Sequence, residues 1–202
     1  MTSARTPEHP IDPLFLERWS PRAFNGEPID TATLMRLFEA ARWSPSASNA
    51  QPWRFAFGLA GTAGFARIFD ALVPFNQDWA RRASALVVVM SATQTVPPGK
   101  DAAQPNRWHA FDTGAAWASL AFQAHLLGWH THGMGGFDAE RLRTALGVAP
   151  VLAIEAVVAI GQRGDPAQLP DGLRARELPN QRRPLADLVA DASADGPLPL
   201  GL

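Results

Sequence analysis

At 202 residues and 21.8 kDa the chain is sized for one domain. Its 47% hydrophobic content excludes wholesale disorder, and a formal net charge of −1 argues against a nucleic-acid binder or a polybasic membrane anchor. Cysteine is absent, which removes disulfides, thiolate nucleophiles and cysteine-based metal sites.

The opening 13 residues hold three prolines and no apolar core, so they do not read as a signal peptide. No apolar run approaches a membrane span. The expectation is a soluble, cytoplasmic protein of a single domain over residues 1–202, with 1–13 and 191–202 as extended or frayed tails. Lys100 is the only lysine among basic residues that are otherwise arginine, the side chain suited to bidentate recognition of phosphate.

A short helix is expected over residues 13–17, followed by Arg18-Trp19-Ser20-Pro21-Arg22. In an extended segment Arg18, Ser20 and Arg22 project to one side. Two guanidinium groups flanking a hydroxyl suit an anion such as phosphate, although such a strip also serves as wet surface. Asp30 then reads as an N-cap, and Leu34, Leu37, Phe38 and Ala41 recur at helical spacing through Arg42. Pro45 stops that helix.

Ser44-Pro45-Ser46-Ala47-Ser48-Asn49-Ala50-Gln51-Pro52-Trp53 is a polar loop, able to serve a heterocycle edge or simply to turn the chain. A strand is expected over 54–58 and a helix over 62–73, with Phe65, Ile68, Phe69 and Leu72 on one face, broken at Pro74-Phe75-Asn76-Gln77. Residues 86–90 read as a buried strand, and 93–106 as a loop long enough to be a lid. The longest helical pattern covers 107–127. Phe111, Gly114, Ala115, Ala118, Ala121, Phe122 and Leu126 form its apolar face, widened by Trp117, Leu120 and Ala124. A helix this apolar is central or lies at an oligomer interface.

Gly128-Trp129-His130-Thr131-His132-Gly133-Met134-Gly135-Gly136-Phe137-Asp138 reads as a glycine-rich loop that either redirects the chain or brings bare backbone against a flat ligand. Asp138 caps a helix ended by Gly147, and 152–160 form another buried strand. The remainder is proline-rich and contains Gln181-Arg182-Arg183-Pro184-Leu185.

Three separated segments, the Arg18 strip, the Pro45–Trp53 loop and Gly133-Met134-Gly135-Gly136-Phe137-Asp138, together with Arg182-Arg183-Pro184-Leu185, resemble the flavin-dependent nitroreductase family in order and spacing. The resemblance implies an α+β fold with a mostly antiparallel central sheet flanked by helices, a long buried central helix, and a homodimer whose C-terminal extension wraps the partner. It implies an FMN-dependent oxidoreductase that takes hydride from NADH or NADPH and passes it through flavin N5 to a small electrophilic acceptor, such as a nitroaromatic or quinone, in ping-pong order. No side chain is then needed as catalytic acid or base. The resemblance also implies site residues: Arg18, Trp19 and Ser20 with Arg182 or Arg183 at the phosphate, and Arg22 and Asn76 at the flavin pyrimidine. Pro45, Ser46, Asn49 and Gln51 come from the partner subunit, and the backbone of Met134, Gly135 and Gly136 lies against the ring.

The chain departs from the family pattern at two places. Trp79 stands where some members carry a lysine, and Gly135 where a glutamate is often found; both bear on reduction potential and acceptor choice. Two other readings compete: an FMN store or sensor without turnover, and a metal hydrolase using His125, His130 and His132 with Asp138 or Glu140.

Overall fold

The helices begin where the sequence supplies caps. In the computed structural model, which describes residues 5–193, the Asp12 carboxylate accepts the Leu14 N–H and Pro13 opens α1 (Pro13–Glu17). Asp30 caps α2 (Thr31–Arg42) through the Thr33 N–H, and Leu34, Leu37 and Ala41 form its buried stripe, as the periodicity predicts. Strand β1 (Trp53–Leu59) leads to α3 (Ala63–Phe69), capped by Thr62.

The helix expected over 62–73 is divided. α3 ends at Phe69, and Pro74 starts a new helix, α4 (Pro74–Ala80), instead of breaking the old one. Proline at a first helical position gives up an N–H that has no partner there in any case. Then come β2 (Ala85–Ala92) and a short hairpin, β3 (Gln94–Thr95) with β4 (Gln104–Pro105), inside the expected loop. The long helix α5 is His109–Leu126. Strand β5 (His130–Met134) precedes α6 (Ala139–Leu146), which Asp138 caps and a left-handed Gly147 ends. β6 (Leu152–Gly161) and the four-residue α7 (Asp171–Arg174) complete the set.

The main sheet has the order β1-β2-β6-β5 with every neighbouring pair antiparallel, which bears out the α+β expectation. Alternate residues of β2 serve opposite layers. Leu86, Val88 and Met90 join Ile68, Leu72, Trp79 and Leu142, so α3, α4 and α6 cover one face. Val87 and Val89 join Leu34, Leu37, Leu120 and Ala124, so α2 and α5 cover the other. A strand buried on both faces has to be a continuous apolar run, which is how β2 reads.

Two expectations are corrected. The stretch after Gly128 is not a loop throughout: residues 130–134 pair with β6, Thr131 and Met134 face inward, and none of Gly133, Gly135 or Gly136 has a positive φ. On α5 the buried positions are Asp112, Thr113, Ala116, Leu120, Ala121 and Ala124. Of the apolar positions read from sequence Leu120, Ala121 and Ala124 are buried, while Phe111 and Leu126 are 76% and 65% exposed. The small residues Ala116 and Ala124 let α5 approach the sheet closely, which turns the bulky residues outward. No helix among the described residues is long and apolar enough to cross a membrane. Residues 194–202 of the expected C-terminal tail, and 1–4 of the N-terminal one, lie outside the described residues.

Candidate functional site

The arginine strip is extended and held from both ends of the chain. Phe24 forms a bridge with Arg163, Asn25 N–H donates to Gln162 O, and Gly164 N–H donates to Ala23 O at 2.7 Å. Gly164 is obligatory here, because a Cβ would lie 2.7 Å from the Phe24 carbonyl carbon. The buried Glu177 carboxylate accepts the N–H groups of Arg22 and Ala23 through one oxygen, at 2.7 and 2.8 Å. Arg5 donates to the carbonyls of Leu16, Arg18 and Asn180 and to Asn180 Oδ1. That arginine lies in a tail expected to be frayed, yet it is firmly docked. Trp19 is buried with the Arg163 guanidinium 5.3 Å from its ring centroid.

These segments enclose a cleft of about 530 Å³ lined by Arg5, Arg18, Ser20, Arg22, Arg176 and Arg182, with Trp19, His132, Leu178, Pro179 and Asn180. Burial, followed by the nearby charge of Arg182, lowers the pKa of Arg5 and Arg18; burial also lowers that of Arg22, with Glu177 pulling the other way. Among the described residues no ion pair involves Arg18, Arg22, Arg176 or Arg182. Crowded guanidinium groups without paired carboxylates favour an anionic guest. Arg22 Nε is buried with no partner. Beside this cleft lies a second of about 380 Å³, where Arg18 and Ser20 meet Trp117, Ala118, Ala121, Phe122 and Gly133.

The other expected residues are placed as follows. Asn76 is buried on α4 and its amide donates to Gly136 O at 2.9 Å, which commits one of its two N–H groups and leaves the other and its oxygen for a ligand. A Cβ on Gly136 would meet Asn76 Nδ2 at 2.8 Å and Val73 Cγ2 at 2.9 Å, whereas one on Gly135 would meet nothing. Close packing therefore requires glycine at 136, and the open side belongs to 135. Met134 is buried in the core. Pro45, Ser46, Asn49 and Gln51 line neither arginine cleft. Their loop carries left-handed φ values at Ser48, Asn49 and Gln51, is closed by Gln51 N–H to Ser46 Oγ, and is tied to α5 by Ala47 N–H to Asp112. Asn49 and Gln51 point to the outside of the chain. Arg182 shares the cleft with Arg18; Arg183 lines a separate groove beside Glu8 and Leu185.

The three histidines do not sit in a loop. His130 and His132 are on β5, and His125 is in the last turn of α5, 3.7 Å from the Glu17 carboxylate. Burial lowers the pKa of His130 to about 4, helped by Arg163, and burial lowers that of His132 to about 4 as well. Among the described residues no group of three or more His, Cys, Asp or Glu could hold a metal, and Asp138 is occupied as the cap of α6.

Sequence reading missed Arg5, Trp117 and Arg176 as cleft residues. A lone arginine among prolines has no periodic signal, and Trp117 reads as one more apolar helix residue. It also missed a cluster in which Ser91 donates to Glu155 and lies 2.6 Å from His109 Nδ1. Both partners converge on the same imidazole nitrogen, so the cluster staples the start of α5 to β2 and β6 and does not form a nucleophile relay.

A sequence model described as the Nitroreductase family matches residues 16–58 and 59–162. The chain is 34% identical over 119 residues to an uncharacterized 15.4 kDa protein of Mycolicibacterium smegmatis, covering 59% of this chain and 76% of that one. A crystal structure described as an oxidoreductase containing FMN superposes with a TM-score of 0.91 at 45% identity, covering 95% of this chain and 96% of the other. A protein of Exiguobacterium sibiricum 255-15 solved in complex with FMN shares the fold, with a TM-score of 0.72 at 20% identity over 92% of this chain and 99% of its own.

Proposed function

The chain belongs to the nitroreductase family, and from that premise we propose that it is an FMN-dependent oxidoreductase passing electrons from NADH or NADPH to a small electrophilic acceptor, a nitroaromatic or quinone, in ping-pong order. The supporting observation is the cleft in which Arg18 and Ser20 meet Arg182, with no carboxylate among the described residues paired to them. The similarity to an oxidoreductase containing FMN points the same way.

The residues present fit that cofactor. A phosphate dianion needs convergent charged donors, which Arg18, Ser20 and Arg182 supply. Arg22, whose buried Nε lacks a partner, would offer the cation for the flavin pyrimidine, and Asn76 Oδ1 an acceptor. Bound FMN supplies hydride chemistry at N5, and the protein tunes and positions it. Trp117 and Phe122 would wall the second cleft, with Gly133 leaving room beside Trp117. Pro45, Asn49 and Gln51, exposed on their own chain, together with the half-buried Ser46, would complete the site of a partner subunit in a homodimer.

The visible absorption spectrum of purified protein, followed by anaerobic addition of NADH and then NADPH, tests this. A flavin spectrum that bleaches with either nicotinamide is expected. Bound flavin that keeps its colour would identify a store or sensor; absence of FMN binding would overturn the reading.

A further inference from the structure

Every charged group lining the arginine cleft is a hydrogen-bond donor, and one wall carries an imidazole with no role assigned so far. His132 lies on β5 opposite Ala159, and its ring is held against Trp79 at a centroid distance of 4.6 Å. Its Nδ1 is 3.0 Å from the Pro21 carbonyl oxygen. A carbonyl only accepts, so Nδ1 carries the proton. Burial keeps the ring neutral at pH 7, with its pKa lowered to about 4 and Arg22 adding to the effect. Nε2 therefore holds a lone pair. No hydrogen bond to Nε2 is made among the described residues and the atom is not sealed from solvent, while the Ser20 backbone acts on the ring in the same sense as Pro21, favouring a protonated nitrogen.

We propose that His132 reads the ligand in this cleft as an acceptor: Nε2 takes a hydrogen bond from a hydroxyl or N–H group of the bound molecule, while the arginines take its anionic end. The inference rests on the FMN reading, since FMN presents ribityl hydroxyls and an imide N–H as well as a phosphate. Two fixed contacts, the Trp79 stack and the Pro21 hydrogen bond, set the direction of the lone pair before any ligand arrives. A ligand that offers only acceptors, such as sulfate, gains nothing from His132. The histidine thus separates a donor-bearing phosphate ester from a bare anion, which arginines alone do not do.

The test uses the full-length protein. Histidine side-chain nitrogen NMR of the wild type should show the Nδ1–H tautomer at His132 and an upfield move of Nε2 when FMN is added, but none with sulfate. His132→Phe keeps a ring on Trp79 and removes the lone pair. It should weaken FMN binding about tenfold, the loss of one neutral hydrogen bond, with sulfate affinity unchanged; His132→Gln, which retains an acceptor, should recover part of the loss. An unmoved Nε2 in FMN-saturated wild type overturns the proposal and leaves the functional reading standing. A variant that loses FMN and sulfate in equal measure assigns His132 a structural role and also overturns it. If His132→Phe does not fold, the wild-type titration decides alone. If the wild type binds no FMN, the functional reading itself fails and this inference falls with it.

Discussion

Two adjacent arginines near the C-terminus have different surroundings. Arg182 lies close enough to Arg18 and Arg5 to lower the pKa of both, whereas Arg183 lines the neighbouring groove without entering the cleft. Arg182→Ala should weaken FMN binding roughly 10- to 100-fold, the loss of a charge-assisted hydrogen bond, and Arg183→Ala should leave it unchanged; fluorescence titration of FMN reads both. Sequence pointed to the pair and could not choose, because neighbouring residues in irregular backbone have no period to say which faces inward. The histidines of β5 lead to a second prediction. His130 and His132 have folded pKa values near 4, below the ordinary value of 6.5, so the unfolded chain takes up protons first as pH falls. Their contribution to stability is complete above pH 6.5 and declines toward pH 4, by at most about 1.4 kcal/mol per pH unit for each ring. Urea unfolding at pH 7 and pH 5 should show the loss, and His132→Gln should reduce it.

Among the elements, those with caps were legible in advance. Asp30 and Asp138 mark the starts of α2 and α6, and Gly147 marks the end of α6, because side-chain caps and left-handed glycine are local chemistry. Strand β5 was not legible, since Gly133 inside it and the glycines after it read as loop, and only the ladder to β6 makes it a strand. The face of α5 was legible only in part: periodicity found Leu120, Ala121 and Ala124, which are buried, but could not tell them from Phe111 and Leu126, which are exposed. The contact between β1 and α3 is equally hidden from sequence. A Cβ on Gly58 would fall 2.1 Å from the Phe65 backbone nitrogen, with no flexible side chain to yield. Gly58→Ala should destabilise the fold by about 3 kcal/mol, at the upper end for overpacking, visible as a lower denaturant midpoint.

For the molecule as a whole, the outward face of α5 bears on assembly. Phe111 and Leu126 are exposed, and Gly114 between them has open space where a side chain would go. Gly114→Glu should therefore leave the protomer folded, yet convert the proposed dimer to a monomer in sedimentation and lose FMN with it, because Ser46, Asn49 and Gln51 could no longer reach a neighbouring cleft. The far ends of the polypeptide carry a different consequence. Glu177 secures Arg22 across 155 positions, and Arg5 secures Asn180 across 175. Contacts so remote form late. During synthesis the strands of the main sheet have all emerged once Gly161 has, whereas the clasp around the arginines also needs residues 176–182. A nascent chain stalled after β6 is therefore expected to hold its scaffold without the arginine cleft and, on the proposed function, to retain no FMN.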